Sequence, residues 1–203
     1  MKKILLLNLF CALLFGVQTA NARYVQLYEG NFPDPIFRDY VSQLTHVAVL
    51  DFISEEQLNA VDKIDVHNKG ISSLKGIEFF EKLAILNCSG NNITTLSFYG
   101  NRLLQLIDCS GNNLTSIDVS MLPLLREFEC SANKLSQIIL PSNSILNRLG
   151  CDYNKLSSLD LSMQSNLLVL TCTYNLLTSL DVSKSSKLQT LYCNNNRFTI
   201  YIA

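Results

Sequence analysis

Six of the seven cysteines in this 203-residue chain follow one another at intervals of 21 residues. An asparagine stands three residues after each of them, and large apolar residues stand five before, two before and five after. The cysteines are Cys88, Cys109, Cys130, Cys151, Cys172 and Cys193. The asparagines are Asn91, Asn112, Asn133, Asn154, Asn175 and Asn196. A fixed period of this length predicts that one small unit is repeated and stacked, because a single unit cannot bury its own apolar side.

The repeat L-x-x-L-x-C-x-x-N-x-L resembles the leucine-rich-repeat signature, with cysteine at the third apolar position. The segment before each cysteine predicts a short strand whose alternate side chains point inward, and successive strands stack in parallel about 4.8 Å apart. The asparagine follows the strand, where its amide can bond to backbone groups of neighbouring coils. We therefore predict two structural ladders, one of cysteines and one of asparagines.

The second half of each repeat is too short for a long helix. Apolar and polar residues alternate over residues 159–162 and 180–183, which predicts an extended segment on the convex side of each coil. An irregular first coil carries Ile64 and Val66, with Lys69 at the asparagine position. We expect a leucine-rich-repeat solenoid over residues 61–203, an α/β-type right-handed superhelix that is mostly β with little helix.

Residues 23–60 do not repeat, and we expect them to form a small N-terminal helical cap that keeps water off the first coil. Two short helices are predicted, at residues 37–41 and 54–61. Ser54 and Gln57 have the spacing of a capping box at the start of the second helix.

Residues 1–22 have the features of an export signal. Two lysines precede an apolar run over residues 4–17, and small residues mark a cleavage point after Ala22. The run is shorter than the about 20 apolar residues of a membrane span. Cleavage is favoured over lipidation of Cys11, because the preceding Phe10 is large. We expect no membrane span and a secreted or cell-surface protein, with a periplasmic location as the alternative.

The cap and the first repeat resemble those of bacterial surface leucine-rich-repeat proteins, the internalin-like proteins of the cysteine-bearing type. The resemblance is carried by residues 31–35 (NFPDP), 54–56 (SEE) and 70–78 (GISSLKGIE). It implies export and a role in adhesion or host contact.

The loop between the two predicted helices departs from this resemblance. Relatives often carry an acidic stretch like a calcium-binding loop there, but the corresponding positions in this chain are His46, Ala48, Leu50 and Gln57. None of these is a carboxylate, so we expect no calcium at this loop. We interpret residues 47–50 as buried chain.

The composition offers little for catalysis. The chain has only two histidines, no C-x-x-C pair and a formal net charge of −1. No nucleophile with a base partner is recognisable, and no broad basic face favours nucleic acid. We expect no catalytic residue, cofactor or metal, and a protein that is not an enzyme. Neighbouring thiols in a parallel ladder have poor geometry for a disulfide, so we expect free, packed cysteines.

Outward-pointing side chains of the repeated strands form the candidate binding face. Acidic residues and tyrosines dominate it, and tyrosine supplies contact area at a low entropy cost. Its members are Asp108, Glu127, Glu129, Arg148, Asp152, Tyr153, Thr171, Tyr174 and Tyr192. We expect a protein or surface-glycan ligand. The alternative is a structural assembly protein that docks or self-associates through its apolar C-terminal coil.

Overall fold

The computed structural model describes residues 23–142 and 145–199 of the chain. The predicted export signal at residues 1–22, with Cys11 inside it, lies outside the described residues. Residues 143–144 and 200–203 lie outside them as well.

The first described elements are two short strands and two helices. They are β1 (Tyr24–Gln26), α1 (Pro35–Thr45), β2 (Phe52–Ser54) and α2 (Glu55–Asn59). β1 pairs with β2 in antiparallel orientation. Ser54 and Gln57 form the predicted capping box at the start of α2. Both predicted helices are confirmed, and α1 begins earlier than predicted because Asp34 caps it and Pro35 suits its first position.

The turn between α1 and β2 is exposed, so the interpretation of residues 47–50 as buried chain is wrong. Val47 is buried, but Ala48 and Val49 are exposed, and Leu50 is 67% exposed. The Leu50 N–H donates to the Leu27 carbonyl at 2.7 Å. Backbone hydrogen bonding therefore holds this turn beside the end of β1, and its apolar side chains are left pointing outward.

The strands that follow belong to the repeats. In chain order they are β3 (Lys63–Asp65), β4 (Ile85–Asn87), β5 (Leu106–Asp108), β6 (Ser116–Asp118), β7 (Glu127–Glu129), β8 (Gln137–Ile139), β9 (Arg148–Gly150), β10 (Val169–Thr171) and β11 (Thr190–Tyr192). All except β6 and β8 form one parallel sheet of seven strands, ordered as in the chain. Neighbouring strands pair with an offset of 21 residues, or 22 between β3 and β4. The predicted leucine-rich-repeat solenoid, mostly β with little helix, is confirmed.

The convex side of the coils is less regular than the sheet. β6 and β8 pair in parallel there, and a short 3-10 helix covers Ile77–Phe79. Residues 159–162 and 180–183 form no strand, although Leu161 is buried. The extended segment predicted for every coil thus becomes a strand in two of the described coils.

Rows of identical positions fill the inside of the coils. The central residue of each sheet strand is fully buried from Ile64 to Leu170, and five ladder cysteines, Cys88 to Cys172, are fully buried too. Leu191 is 39% exposed and Cys193 is half-buried. These two are more exposed because no described coil packs against the far side of β11.

The asparagine ladder ties each coil to the one before it. Asn154 Nδ2 donates to the carbonyl oxygens of Cys130 and Cys151, both at 3.1 Å. Its Oδ1 accepts the Leu135 N–H at 2.9 Å. The equivalent three bonds recur at Asn91, Asn112, Asn133, Asn175 and Asn196. The amide groups therefore satisfy backbone atoms inside the turn, as the sequence predicted.

We expect Asn154→Ala to lower the free energy of unfolding by about 1–3 kcal/mol, because it leaves buried carbonyl and N–H groups without partners. Urea denaturation monitored by circular dichroism measures the change. The control is Asn92→Ala, an exposed asparagine with one bond of 3.3 Å to the Gly70 carbonyl, which should change stability by less than about 0.5 kcal/mol. Equal losses in the two variants would contradict the ladder's role.

Asp34 joins the cap to the first coil. One carboxylate oxygen accepts the N–H groups of Ile36 and Phe37, each at 3.0 Å, and so caps α1. The other accepts the Ser72 N–H at 2.7 Å and the Ser72 hydroxyl at 2.9 Å. Burial raises the pKa of Asp34, but the hydrogen bonds, led by those from Ser72 and Phe37, outweigh it and hold the pKa below its ordinary value.

We expect Asp34→Asn to lower the free energy of unfolding by about 1–3 kcal/mol near neutral pH. The lowered pKa means that the carboxylate stabilises the fold above its unfolded-state pKa and that this contribution is lost as pH falls through the folded-state pKa. The difference between wild type and variant should therefore shrink in acid, as urea denaturation at several pH values can measure. Asp39→Asn, at an exposed position of α1, is the matched control. A difference that does not vary with pH would count against this account.

Candidate binding face

All nine residues of the predicted binding face are exposed or half-buried in the structure. Strand pairing brings Glu127 opposite Arg148, and Asp108 opposite Glu129. Further along the sheet, Thr171 is opposite Tyr192. The face is therefore continuous from β5 to β11, and the structure places these side chains together as the repeat predicts.

Glu129 and Arg148 form an ion pair at the centre of the face. Arg148 Nε lies 2.8 Å from Glu129 Oε1. The Glu129 carboxylate lies where a Cβ on Gly150 would be, so a larger residue at position 150 would displace the carboxylate from this place. The pKa of Glu129 lies above its ordinary value because burial raises it. The neighbouring charges of Asp108 and Asp152 raise this pKa further, whereas Arg148 lowers it. Glu129 is thus a partly buried, paired carboxylate and not a freely solvated one.

Asp152 is held by two threonines of the next coil. Its carboxylate accepts the Thr171 hydroxyl at 2.5 Å, the Thr173 N–H at 2.6 Å and the Thr173 hydroxyl at 2.8 Å. Thr173 was not among the predicted site residues. The signal for it was available, since it follows Asp152 by one repeat period. These bonds fix the carboxylate and partly neutralise its field.

Tyr153 and Tyr174 stack face to face on the rim of the binding face. Their ring centroids are 4.3 Å apart and the ring planes differ by 9°. The residues are 56% and 47% exposed. Tyr192 is 58% exposed and takes no part in this stack. Two stacked and accessible rings form a rigid aromatic surface, and such pairs contribute about 0.5–1.5 kcal/mol beyond their buried area.

Both tyrosines occupy a left-handed backbone position that recurs in every described coil. This position lies two residues after the third core residue. Its occupants are Asn68, Gly90, Gly111, Ala132, Tyr153, Tyr174 and Asn195, with φ between 53° and 65°. Glycine and asparagine adopt this conformation readily, whereas other residues lose roughly 1–2 kcal/mol there. Sequence reasoning found the register of the two tyrosines but not their strained backbone.

The cysteine ladder lies directly beneath the face and holds free thiols. The Sγ atoms of Cys109, Cys130 and Cys151 lie 3.3–3.5 Å from backbone carbonyl oxygens of the following coil. Burial raises the pKa of the Cys172 thiol to about 12. It also raises the pKa of the other four fully buried thiols. The five fully buried cysteines therefore act as packed core and offer no reactive thiolate.

We expect iodoacetamide to label Cys193 before the other five ladder cysteines under native conditions, because Cys193 is half-buried and the others are enclosed. Peptide mass spectrometry measures the order, and labelling in guanidinium chloride gives the control in which all six react. Disulfides between ladder cysteines, or Cys130 reacting as fast as Cys193, would contradict the ladder.

Within residues 23–142 and 145–199, no three histidine, cysteine or acidic side chains cluster as metal ligands. The helices of these same ranges are too short or too polar to cross a lipid bilayer.

The sheet, the cysteine row and the asparagine row share one period and together define a leucine-rich-repeat protein. No known family model matches the chain. Its sequence is 39% identical over 83 residues to Internalin J of Listeria monocytogenes serotype 4b (strain F2365). That match covers 41% of this chain and 9% of the relative, so the chain spans only a small part of that protein's length.

Solved structures show the same fold. An internalin, inlF, from Listeria monocytogenes strain 4b F2365 matches with a TM-score of 0.62 and 22% identity, over 85% of this chain and 59% of that one. A Shigella effector LRR domain matches with a TM-score of 0.65 and 22% identity, over 82% of this chain and 70% of that one. The chain therefore has the leucine-rich-repeat fold with a ladder of cysteines, and part of its sequence is similar to Internalin J.

Proposed function

We propose that this protein is an exported, non-catalytic recognition module that binds a partner macromolecule through the outward face of its parallel sheet. The partner is a protein or a surface glycan, and adhesion or host contact is the role. The observation that carries the proposal is the exposed Tyr153–Tyr174 stack. Its backbone is strained at a position where four of the five other described coils use glycine or asparagine. Strain of this kind is found where function requires a particular side chain.

The rigidity of the face supports a binding role. Each outward side chain extends from a coil that the asparagine ladder fixes to its neighbours. Several are also held individually, as Glu129 is by Arg148 and Asp152 by Thr171 and Thr173. A surface that is ordered before binding loses less conformational entropy when a partner docks.

The polar composition of the face suits a specific contact. Arg148 and Glu127 are exposed at the centre, and Tyr192 extends the aromatic surface towards β11. Tyrosine and arginine are enriched at residues that dominate binding energy. Charged groups on such a surface steer the approach of a partner and exclude wrong ones.

The proposed location follows from the chain's first residues. We propose that residues 1–22 are removed on export, that residues 23–60 cap the solenoid, and that the remainder presents the face outside the cytoplasm. The similarity to Internalin J supports this arrangement.

We expect the double variant Tyr153→Ala/Tyr174→Ala to bind host epithelial surfaces and extracellular matrix proteins at least about tenfold more weakly than the wild-type mature chain, which corresponds to about 1.4 kcal/mol. Surface plasmon resonance and cell-binding assays measure this loss. The control is Tyr99→Ala, which removes a tyrosine that is 90% exposed on another part of the coil. Binding that survives in the double variant, or falls equally in the control, would refute the assignment of the face.

Self-association through the last described coil is a second candidate function. Leu191 is 39% exposed and Phe198 is 36% exposed, which leaves apolar surface beside β11. Sedimentation velocity of the mature chain tests this candidate, and a monomer at high concentration would exclude it.

A further inference from the structure

The left-handed backbone positions of successive coils form a column along the solenoid. This column carries the tyrosine stack and also contains a stretch without large side chains. Gly111 and Ala132 occupy this column in the two coils before Tyr153, and both are exposed. A Cβ added to Gly111 would meet only the backbone of Gly90, at 3.4 Å. At the far end the Asn68 side chain lies over Gly90. The result is a shallow shelf, with Gly111 and Ala132 as its floor and Asn68 and Tyr153 as its two ends.

The ring of Tyr153 forms a flat wall at one end of this shelf. Tyr174 covers one face of the ring, with the two planes almost parallel. Successive coils are about 4.8 Å apart along the solenoid, so the other face of the ring looks along the shelf towards Ala132. Ala132 has only a methyl group with which to cover it. The backbone positions of its two ends lie about 19 Å apart, given four coil steps of about 4.8 Å.

The residues that flank the floor in the sequence are polar and mostly uncharged. Ser110 and Ser131 immediately precede the two floor residues, and Asn113 and Lys134 follow each by two positions. The Ser131 hydroxyl accepts the Asp152 N–H at 3.2 Å and keeps its own hydrogen available as a donor. The nearby carboxylate of Asp108 is occupied by the Ser110 N–H and hydroxyl. Lys134 is exposed and forms no salt bridge within the described residues.

The floor is not suited to an added peptide strand. The Gly111 N–H already donates to the Ser131 carbonyl at 2.9 Å, and the Ala132 N–H donates to the Asp152 carbonyl at 2.8 Å. Peptides that join a sheet edge need unpaired backbone groups and pockets for alternate side chains. With its donors engaged and its surface flat, the floor offers neither.

We propose that this shelf binds an uncharged sugar residue of a glycan, stacked on the free face of Tyr153. The C–H face of a sugar ring suits the electron-rich face of an aromatic ring. The sugar hydroxyls can exchange hydrogen bonds with the Ser131 hydroxyl, which is uncharged like the groups of the ligand. This inference rests on the proposed function, since it names the partner class for one end of the same face.

A flat, open shelf buries much less of a ligand than an enclosed pocket does, so each contact is weak. We expect a dissociation constant on the order of millimolar for a short oligosaccharide. Binding of this strength becomes effective when many copies of the sugar are displayed on one surface.

The test is saturation-transfer NMR on the mature chain with maltotriose, cellotriose and triacetylchitotriose as neutral probes and trialanine as the peptide probe. At least one trisaccharide should receive saturation and trialanine should not. Tyr153→Ala should weaken that binding at least about tenfold, whereas Tyr99→Ala should leave it unchanged. No signal from any trisaccharide, or equal binding of trialanine, would overturn the proposal.

The sharpest variant is Ala132→Tyr, which adds a third ring to the stack and fills the shelf. Position 132 has φ 54°, and the same column accepts tyrosine at φ 53° in the next two coils, so the fold should tolerate it. Circular dichroism checks the fold, and sugar binding should be lost while the two original tyrosines remain. Sugar binding that persists in Ala132→Tyr would overturn the proposal. If no sugar binds but a protein partner still binds the wild type, the sugar proposal fails and the proposed function stands.

Discussion

The structure depends on how the backbone is hydrogen-bonded inside each turn. After every sheet strand the chain bends into the solenoid, which would leave carbonyl and N–H groups buried without partners. The asparagine amide meets both kinds of group at once, since its Nδ2 bonds to carbonyls of two successive coils and its Oδ1 accepts an N–H of the earlier coil. Each buried polar group that is left unpaired costs about 1–3 kcal/mol of folding free energy, so each cysteine-bearing coil needs an asparagine at this place. The period of the asparagines therefore sets the period of the fold.

That internal constraint leaves the outer positions free to differ between coils. At the left-handed position, some coils carry glycine or asparagine and two carry tyrosine. The ladders supply the stability that tolerates the strain of Tyr153 and Tyr174 and keeps their rings in contact. Stability and recognition are thus divided between the two sides of the same three-residue strands, one side buried and the other available to a partner.

Most of the fold could be predicted from the sequence because its contacts are periodic. Cysteine and asparagine recur at one interval, so inward and outward positions follow from counting, and the seven-stranded sheet, its register and the outward placement of Glu127 and Tyr192 agree with that count. The segments outside the period were harder. Residues 48–50 are apolar yet exposed, because a backbone bond from Leu50 to Leu27 positions them. The hydrogen bond from Ser72 to Asp34 links residues 38 positions apart, and no local sequence pattern predicts it.

The sequence by itself determined the repeating unit, the buried rows and the set of outward side chains, because each depends on which residues recur at a fixed spacing. The tertiary structure decided how those outward side chains meet. The stacking of Tyr153 on Tyr174, the pairing of Glu129 with Arg148 over Gly150 and the open shelf at Gly111 and Ala132 all arise between coils. They depend on the close spacing of stacked strands and on the sign of a backbone angle, and neither quantity can be read from a residue's identity alone.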